Sequence, residues 1–192
     1  MNSDFAVIGK VIIRIVTPYI ICLLIGVVIF GESVFTPHLV TFEFVLAGAM
    51  GAIFLGLLYT TKVRYALFVF IILLLIDIIV INTMPSFSWV LRDLLYDGAL
   101  GASIYLFWKY PYKFEWAYIV RSLQIASYLS LANVTALSLI ALYHNAFAMV
   151  SAGVTEVLFI GFLIGLGLGI GNELANLLIK KLEKTAVQEE VK

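Results

Sequence analysis

The chain has 192 residues, of which 63% are hydrophobic and only 12% are charged, and its formal net charge is zero. A soluble domain carries about 25% charged residues, and a protein of this size leaves too much surface outside to hide so many apolar side chains. The composition therefore excludes a water-soluble globule and predicts that lipid surrounds most side chains. The balanced net charge by itself says nothing about partners, and we expect no nucleic-acid partner.

Six apolar stretches can cross a bilayer, whose hydrocarbon core of about 30 Å needs roughly 20 apolar residues in a helix. In chain order they are residues 11–31, 43–61, 64–84, 93–108, 118–143 and 154–179, followed by a tail over 180–192. The first stretch lacks a small-residue cleavage site, so we expect it to be retained as a span. Because the connections are short, we predict one domain over 1–192: an all-α integral membrane protein, built as a bundle of six transmembrane helices.

Basic residues predict how the bundle is oriented. They lie before the first span, in the second and fourth connections, at the start of the fifth span and in the tail: Lys10, Arg14, Lys62, Arg64, Lys109, Lys113, Arg121, Lys180, Lys181, Lys184 and Lys192. The connections on the opposite side hold one cation, Arg92. Cytoplasmic loops are enriched in lysine and arginine, so we expect both termini in the cytoplasm of a cell-membrane protein.

Small residues recur at four-residue intervals in two of the spans. Membrane helices associate through small residues that let their backbones approach closely. The stripes are Gly161, Gly165 and Gly169 in the sixth span, and Gly48, Ala52 and Gly56 in the second. They predict close packing within one chain, docking to other membrane subunits or a second copy, or a thin-walled path for a solute.

The third span, which includes FVFIILLLIDIIVIN at residues 68–82, carries a single carboxylate, Asp77. Three interpretations are open: a protonated packing group, a site for a cation or proton, or a salt bridge with Arg92. Polar residues of the fifth span fall mostly on one arc, which predicts that this helix is the most enclosed. We therefore expect Asp77 to point towards Thr135 or Ser138, with Asn133 near mid-membrane.

Two further polar groups lie near the ends of the spans. Asp93 and Asp97 are four residues apart, so their carboxylates repel unless one is protonated or a cation bridges them; Asp97 joins the candidate solute-binding or ion-binding residues. At the cytoplasmic side, Arg14, Arg121 and Glu173 form a predicted inner polar layer. This layer is either an ordinary interfacial ion pair or an inner gate.

The residues that an intramembrane enzyme would need are not grouped in this sequence. The two histidines lie in separate connections, and Cys22 is the only cysteine, so neither a histidine pair on one helix nor a cysteine cluster is available for a metal. We expect no catalytic residue, no metal and no cofactor.

In span count, length and orientation the chain resembles the substrate-binding S components of energy-coupling-factor vitamin transporters, and also the small membrane subunits of cell-shape complexes. The first resemblance implies membrane-embedded binding of a small solute. Transport or binding of a small solute or ion is therefore the leading hypothesis. The alternative is a non-catalytic structural or assembly subunit that docks other membrane proteins through its glycine-rich helix faces.

Overall fold

A computed structural model describes residues 3–31, 39–81, 87–111 and 117–190, which form six α-helices and no β-strand. The helices are α1 (Ser3–Phe30), α2 (Leu39–Thr60), α3 (Val63–Ile81), α4 (Phe87–Lys109), α5 (Ala117–Tyr143) and α6 (Phe147–Glu190). The prediction of an all-α chain with six helices is confirmed for this part of the protein. Residues 180–190 of the predicted tail continue α6, whereas Lys113 and Lys192 lie outside the described residues.

Three segments within the described helices are long and apolar enough to cross a membrane: Val7–Phe30, Tyr118–Tyr143 and Gly153–Thr185. A shorter apolar segment, Phe44–Thr60, lies in α2. Large apolar side chains point outward from the bundle, with Val28 of α1 80% exposed and Ile79 of α3 72% exposed. Such a surface is unfavourable in water and favourable in lipid, so the structure is compatible with a membrane protein.

Helix α2 lies at the centre of the bundle. Among the described residues, it packs against α1, α3, α4 and α6, whereas α5 packs against α4 and α6 alone. No side chain between residues 44 and 60 is exposed. A helix that is hydrophobic on all sides is typically buried, and α2 has this character. The prediction that the fifth span is the most enclosed is therefore wrong. Two of its polar residues, Thr135 and Ser138, are exposed and form hydrogen bonds with their own helix, so they do not require a central position.

Helix α6 contacts two neighbours through glycines on two faces. A Cβ atom added at Gly165 would lie 2.5 Å from Cα of Ala126 in α5. On the other face, a Cβ atom at Gly167 would lie 2.9 Å from Cα of Cys22 in α1. Side chains at these positions would force the backbones apart, so the glycines permit the close approach of α5 and α1.

The other predicted glycines also pack inside the chain. Gly161 and Gly169 face α5 in the same way as Gly165, and the Gly48, Ala52 and Gly56 stripe is buried. A Cβ atom at Gly56 would lie 2.6 Å from Cγ1 of Ile15 in α1. Both predicted small-residue stripes are therefore filled by neighbouring helices of the same chain.

Candidate functional site

Three aspartates and one arginine form a polar group between α3 and α4, named here the carboxyl cluster: Asp77, Arg92, Asp93 and Asp97. Asp93 and Asp97 are one helical turn apart in α4 and therefore lie on the same face. Both are buried, with 6% and 9% of their surfaces exposed. The side chain of Asp77, from α3, lies close enough to that of Asp97 for the two carboxyl groups to share a hydrogen bond if one of them is protonated.

Arg92 neutralises one of the three carboxylates. Its Nε atom donates a hydrogen bond to Oδ1 of Asp93 at 2.9 Å, and its Nη2 atom is also 2.9 Å from that oxygen. Asp77 forms no ion pair with Arg92, although the guanidinium lies within electrostatic range. The Oδ1 atom of Asp77 is buried and accepts no hydrogen bond from the described residues. The structure therefore does not form the salt bridge that was one interpretation of Asp77.

The contact between Asp77 and Asp97 limits the charge that this site can hold. Two carboxylates this close repel each other strongly, so they favour either a shared proton or a cation between them. Among the described residues, no group of three or more His, Cys, Asp or Glu side chains is arranged to hold a metal ion. A pair of neighbouring carboxyl groups can take up a proton or a small cation.

Thr135 and Ser138 do not join the carboxyl cluster. Both are exposed, and their hydroxyl groups donate to backbone carbonyls of α5 itself, Leu131 at 2.9 Å and Val134 at 2.8 Å. The described residues of α3 and α5 do not contact each other. The expectation that Asp77 points towards Thr135 or Ser138 is therefore wrong. A hydroxyl that donates to a carbonyl of its own helix needs no partner on another helix, so these residues can face outward.

Asn133 lies at a different place again, between α5 and α6. Only 8% of its surface is exposed, and its Nδ2 atom would be 2.8 Å from a Cβ atom added at Gly161. One turn earlier, the hydroxyl of Ser130 donates to the carbonyl of Leu158 in α6 at 3.0 Å. Of the five candidate binding residues, only Asp77 and Asp97 come together.

The pairing of Asp77 with Asp97 was missed at the level of sequence, although a signal for it existed. Consecutive membrane helices joined by a short connection are often neighbours in space, and the acids lie near the ends of α3 and α4 that share a connection. The larger number of polar residues in the fifth span favoured Thr135 or Ser138 as the partner of Asp77 instead.

The opposite end of the bundle holds a second polar group, named here the arginine cluster: Arg14, Tyr59, Arg121, Asn172, Glu173 and Asn176. Glu173 is buried, and its Oε1 atom lies 3.5 Å from Nη1 of Arg121 and 3.4 Å from Nδ2 of Asn172. Nη1 of Arg14 donates to Oδ1 of Asn176 at 2.9 Å. Of the predicted inner layer, Arg121 thus contacts Glu173, while Arg14 is bonded to Asn176 and lies within electrostatic range of Glu173.

A groove of about 500 Å³ runs between α5 and α6 on the outside of the bundle. It is lined by Ser127, Ser130, Leu131, Thr155, Leu158, Phe159 and Phe162. The lining is largely apolar, and the hydroxyl of Ser130 is already bonded to Leu158. The groove could therefore hold a molecule by its shape, but it has few polar groups with which to recognise a polar solute.

No protein-family model matches the chain, and comparisons with curated proteins and with solved structures found no match.

Proposed function

We propose that this protein is a six-span membrane protein, with both termini in the cytoplasm, that carries a proton or a small monovalent cation across the membrane. The observation that supports this most directly is the contact between the carboxyl groups of Asp77 and Asp97. Ionisable residues inside a membrane are costly, and they commonly mark proton relays or ion pathways.

The surroundings of the pair support this role over simple packing. Asp93 has a counter-ion in Arg92, whereas Asp77 forms no ion pair with any of the described residues. The Asp77 Oδ1 atom, buried and without a hydrogen bond from the described residues, is an acceptor available to an incoming cation or proton. A packing role alone would be served equally well by an uncharged amide, which could donate as well as accept.

The alternative hypothesis, an assembly subunit, required exposed glycine-rich helix faces, and most of these faces are covered within the chain. The glycines of α6 are covered by α5 and α1, and those of α2 are covered mainly by α1. Gly98 of α4 lies outside these two stripes, and a Cβ atom added there would meet nothing within 4 Å. No partner is needed to fill the two main glycine stripes.

Flux measurements in liposomes containing a trapped pH-sensitive dye test the proposal. If the protein carries protons alone, we expect it to dissipate a proton gradient. If it exchanges protons for another cation, we expect dissipation when sodium, potassium or ammonium ions are supplied on one side. Asp77→Asn and Asp97→Asn should reduce this flux to that of empty liposomes, because an amide cannot ionise. Glu156→Gln, which changes an exposed carboxylate of α6, should leave the flux unchanged.

Two outcomes contradict the proposal. One is a wild-type flux no greater than that of empty liposomes for protons and for all three cations. The other is undiminished flux in Asp77→Asn when its elution volume and melting temperature match those of the wild type. A loss of flux in Glu156→Gln equal to that in Asp77→Asn would also remove the special role of the pair.

A further inference from the structure

Arg92 contacts Asp93 in the carboxyl cluster, although its guanidinium also lies within electrostatic range of Asp77. Both Nε and Nη2 of Arg92 are 2.9 Å from Oδ1 of Asp93, the next residue of α4. The side chains of Arg92 and Asp93 are 26% and 7% exposed. Because little water competes for the two charges, such a hydrogen-bonded ion pair is strong, and it fixes where the guanidinium lies.

The position of this guanidinium matters to the neighbouring pair of acids. Asp97 lies one turn after Asp93 on the same face of α4, and Asp77 approaches Asp97 from α3. The buried Oδ1 atom of Asp77 accepts no hydrogen bond from the described residues. If the guanidinium turned to this oxygen, its N–H donors and its fixed positive charge would take the place of a proton or a small cation. Arginine binding and ion binding at Asp77 therefore exclude each other.

The charge of Asp93 is what keeps Arg92 in place. A hydrogen bond to a carboxylate is about twice as strong as one to a neutral group. With an amide at position 93, the guanidinium would be attracted more strongly by the ionised Asp77–Asp97 pair than by its present partner. Stability alone gives little reason for a shielded ion pair, since apolar residues of similar size often serve as well or better.

We propose that Asp93 is a positioning residue, which holds Arg92 away from the Asp77–Asp97 pair and so keeps that pair able to take up a proton or a small cation. This role rests on the proposed function, because it concerns the same site. Asp93 acts here through Arg92 and not by binding the transported ion. Loss of its charge should therefore inactivate the pair when Arg92 is present, and should be harmless when Arg92 is absent.

Labelling with dicyclohexylcarbodiimide, which reacts with protonated carboxyl groups in apolar surroundings, tests this role without requiring transport. Mass spectrometry of peptides measures the adduct on Asp77. In Asp93→Asn we expect the adduct to fall to the background measured in Asp77→Asn, because the guanidinium takes the place of the proton. The double variant Asp93→Asn/Arg92→Gln should regain the labelling of the wild type, since it has no guanidinium at this site.

Flux in liposomes should follow the same pattern, with loss in Asp93→Asn and recovery in the double variant. Recovery after removal of a second charge identifies positioning, because a direct role of Asp93 in binding the ion would not be restored by Arg92→Gln. Glu183→Gln is the matched control, since it breaks an ion pair of 2.7 Å with Lys10 outside the carboxyl cluster. This control should change neither labelling nor flux.

The proposal is overturned if Asp93→Asn keeps the labelling and flux of the wild type while matching its elution volume and melting temperature. It is also overturned if the folded double variant regains neither. If either variant does not fold, folded Arg92→Gln decides the question: labelling of Asp77 at the level of the wild type supports the proposal, and loss of labelling overturns it, because Arg92 would then be needed at the pair.

Failure of the transport proposal gives a different result. The expected labelling pattern in a protein without wild-type flux would contradict transport and leave the role of Asp93 intact. Flux that requires Asp77 but is unchanged, together with labelling, in folded Asp93→Asn would contradict the positioning role alone. A wild type with neither labelling of Asp77 nor flux would overturn both proposals.

Discussion

Hydroxyl side chains in α5 show how one residue type can serve two purposes in a membrane helix. Ser130 is buried and donates across to the backbone of α6, whereas Thr135 is exposed and donates to its own helix. Sequence position alone does not distinguish these cases, because both hydroxyls have a backbone carbonyl within reach. Of these two hydrogen bonds, the one made by Ser130 links two helices and the one made by Thr135 does not.

The two hydroxyls therefore differ in their expected contribution to stability. Ser130→Ala should lower the free energy of unfolding by about 0.6 kcal/mol, the average for an interhelical hydrogen bond in a membrane protein. Thr135→Val should leave it unchanged, since the hydroxyl makes no contact with another helix. Reversible unfolding of both variants in mixed micelles would measure the difference, and equal effects would contradict the assignment of Ser130 to the α5–α6 interface.

At the scale of the helices, α6 holds the bundle together through its spacing of glycines. Positions 161, 165 and 169 meet α5, while 167 and 171 meet α1. Because residues four apart share a helix face, the two sets form separate faces. One helix can thus bring two neighbours to close backbone contact, which lets dispersion forces act where lipid provides no hydrophobic drive.

Adding one methyl group tests this role of α6. Gly165→Ala should destabilise the protein by about 1–3 kcal/mol, as overpacking does in other proteins, since the added Cβ atom would be 2.5 Å from Cα of Ala126. Gly98→Ala should be neutral or slightly stabilising, because alanine is the better helix former and nothing lies within 4 Å. Thermal unfolding compares the two, and equal stability would show that the α5–α6 contact is not tight.

For the molecule as a whole, the two polar clusters lie at opposite ends of an apolar core. The carboxyl cluster includes residues near the start of α4, and the arginine cluster includes Arg121, near the start of α5. Between them Phe54 and Phe70 stack with ring centres 4.6 Å apart, and the Phe70 ring covers Gly101. Any path for a transported ion between the two ends must pass this packed layer.

The proposed topology places the carboxyl cluster towards the outside of the cell and the arginine cluster towards the cytoplasm. In a Cys22→Ala background, His144→Cys should react with a membrane-impermeant thiol reagent in intact cells. Lys184→Cys should react only after permeabilisation. Both positions are exposed in the structure, so access depends on the side of the membrane. The opposite pattern would reverse the orientation, and labelling of both in intact cells would exclude the six-span topology.

The sequence alone determined the all-helical class and the number of helices. It also determined that the stripes of small residues lie where helices pack closely. These follow from composition and from periodic spacing, which act along the chain: apolar runs form helices in lipid, and glycines four apart share a face. The three members of the inner layer were also identifiable, because arginine and glutamate inside an apolar segment each need a polar neighbour.

Only the tertiary structure decided which helices are neighbours. A polar arc on α5 is compatible with a central helix or with an outward face, since serine and threonine can bond to their own backbone. The arrangement places α2 at the centre and α3 beside α4, so Asp77 meets Asp97 instead of Thr135 or Ser138. Helix order in space depends on side-chain fit between distant segments, which is why the partner of Asp77 emerges only once the helices are packed.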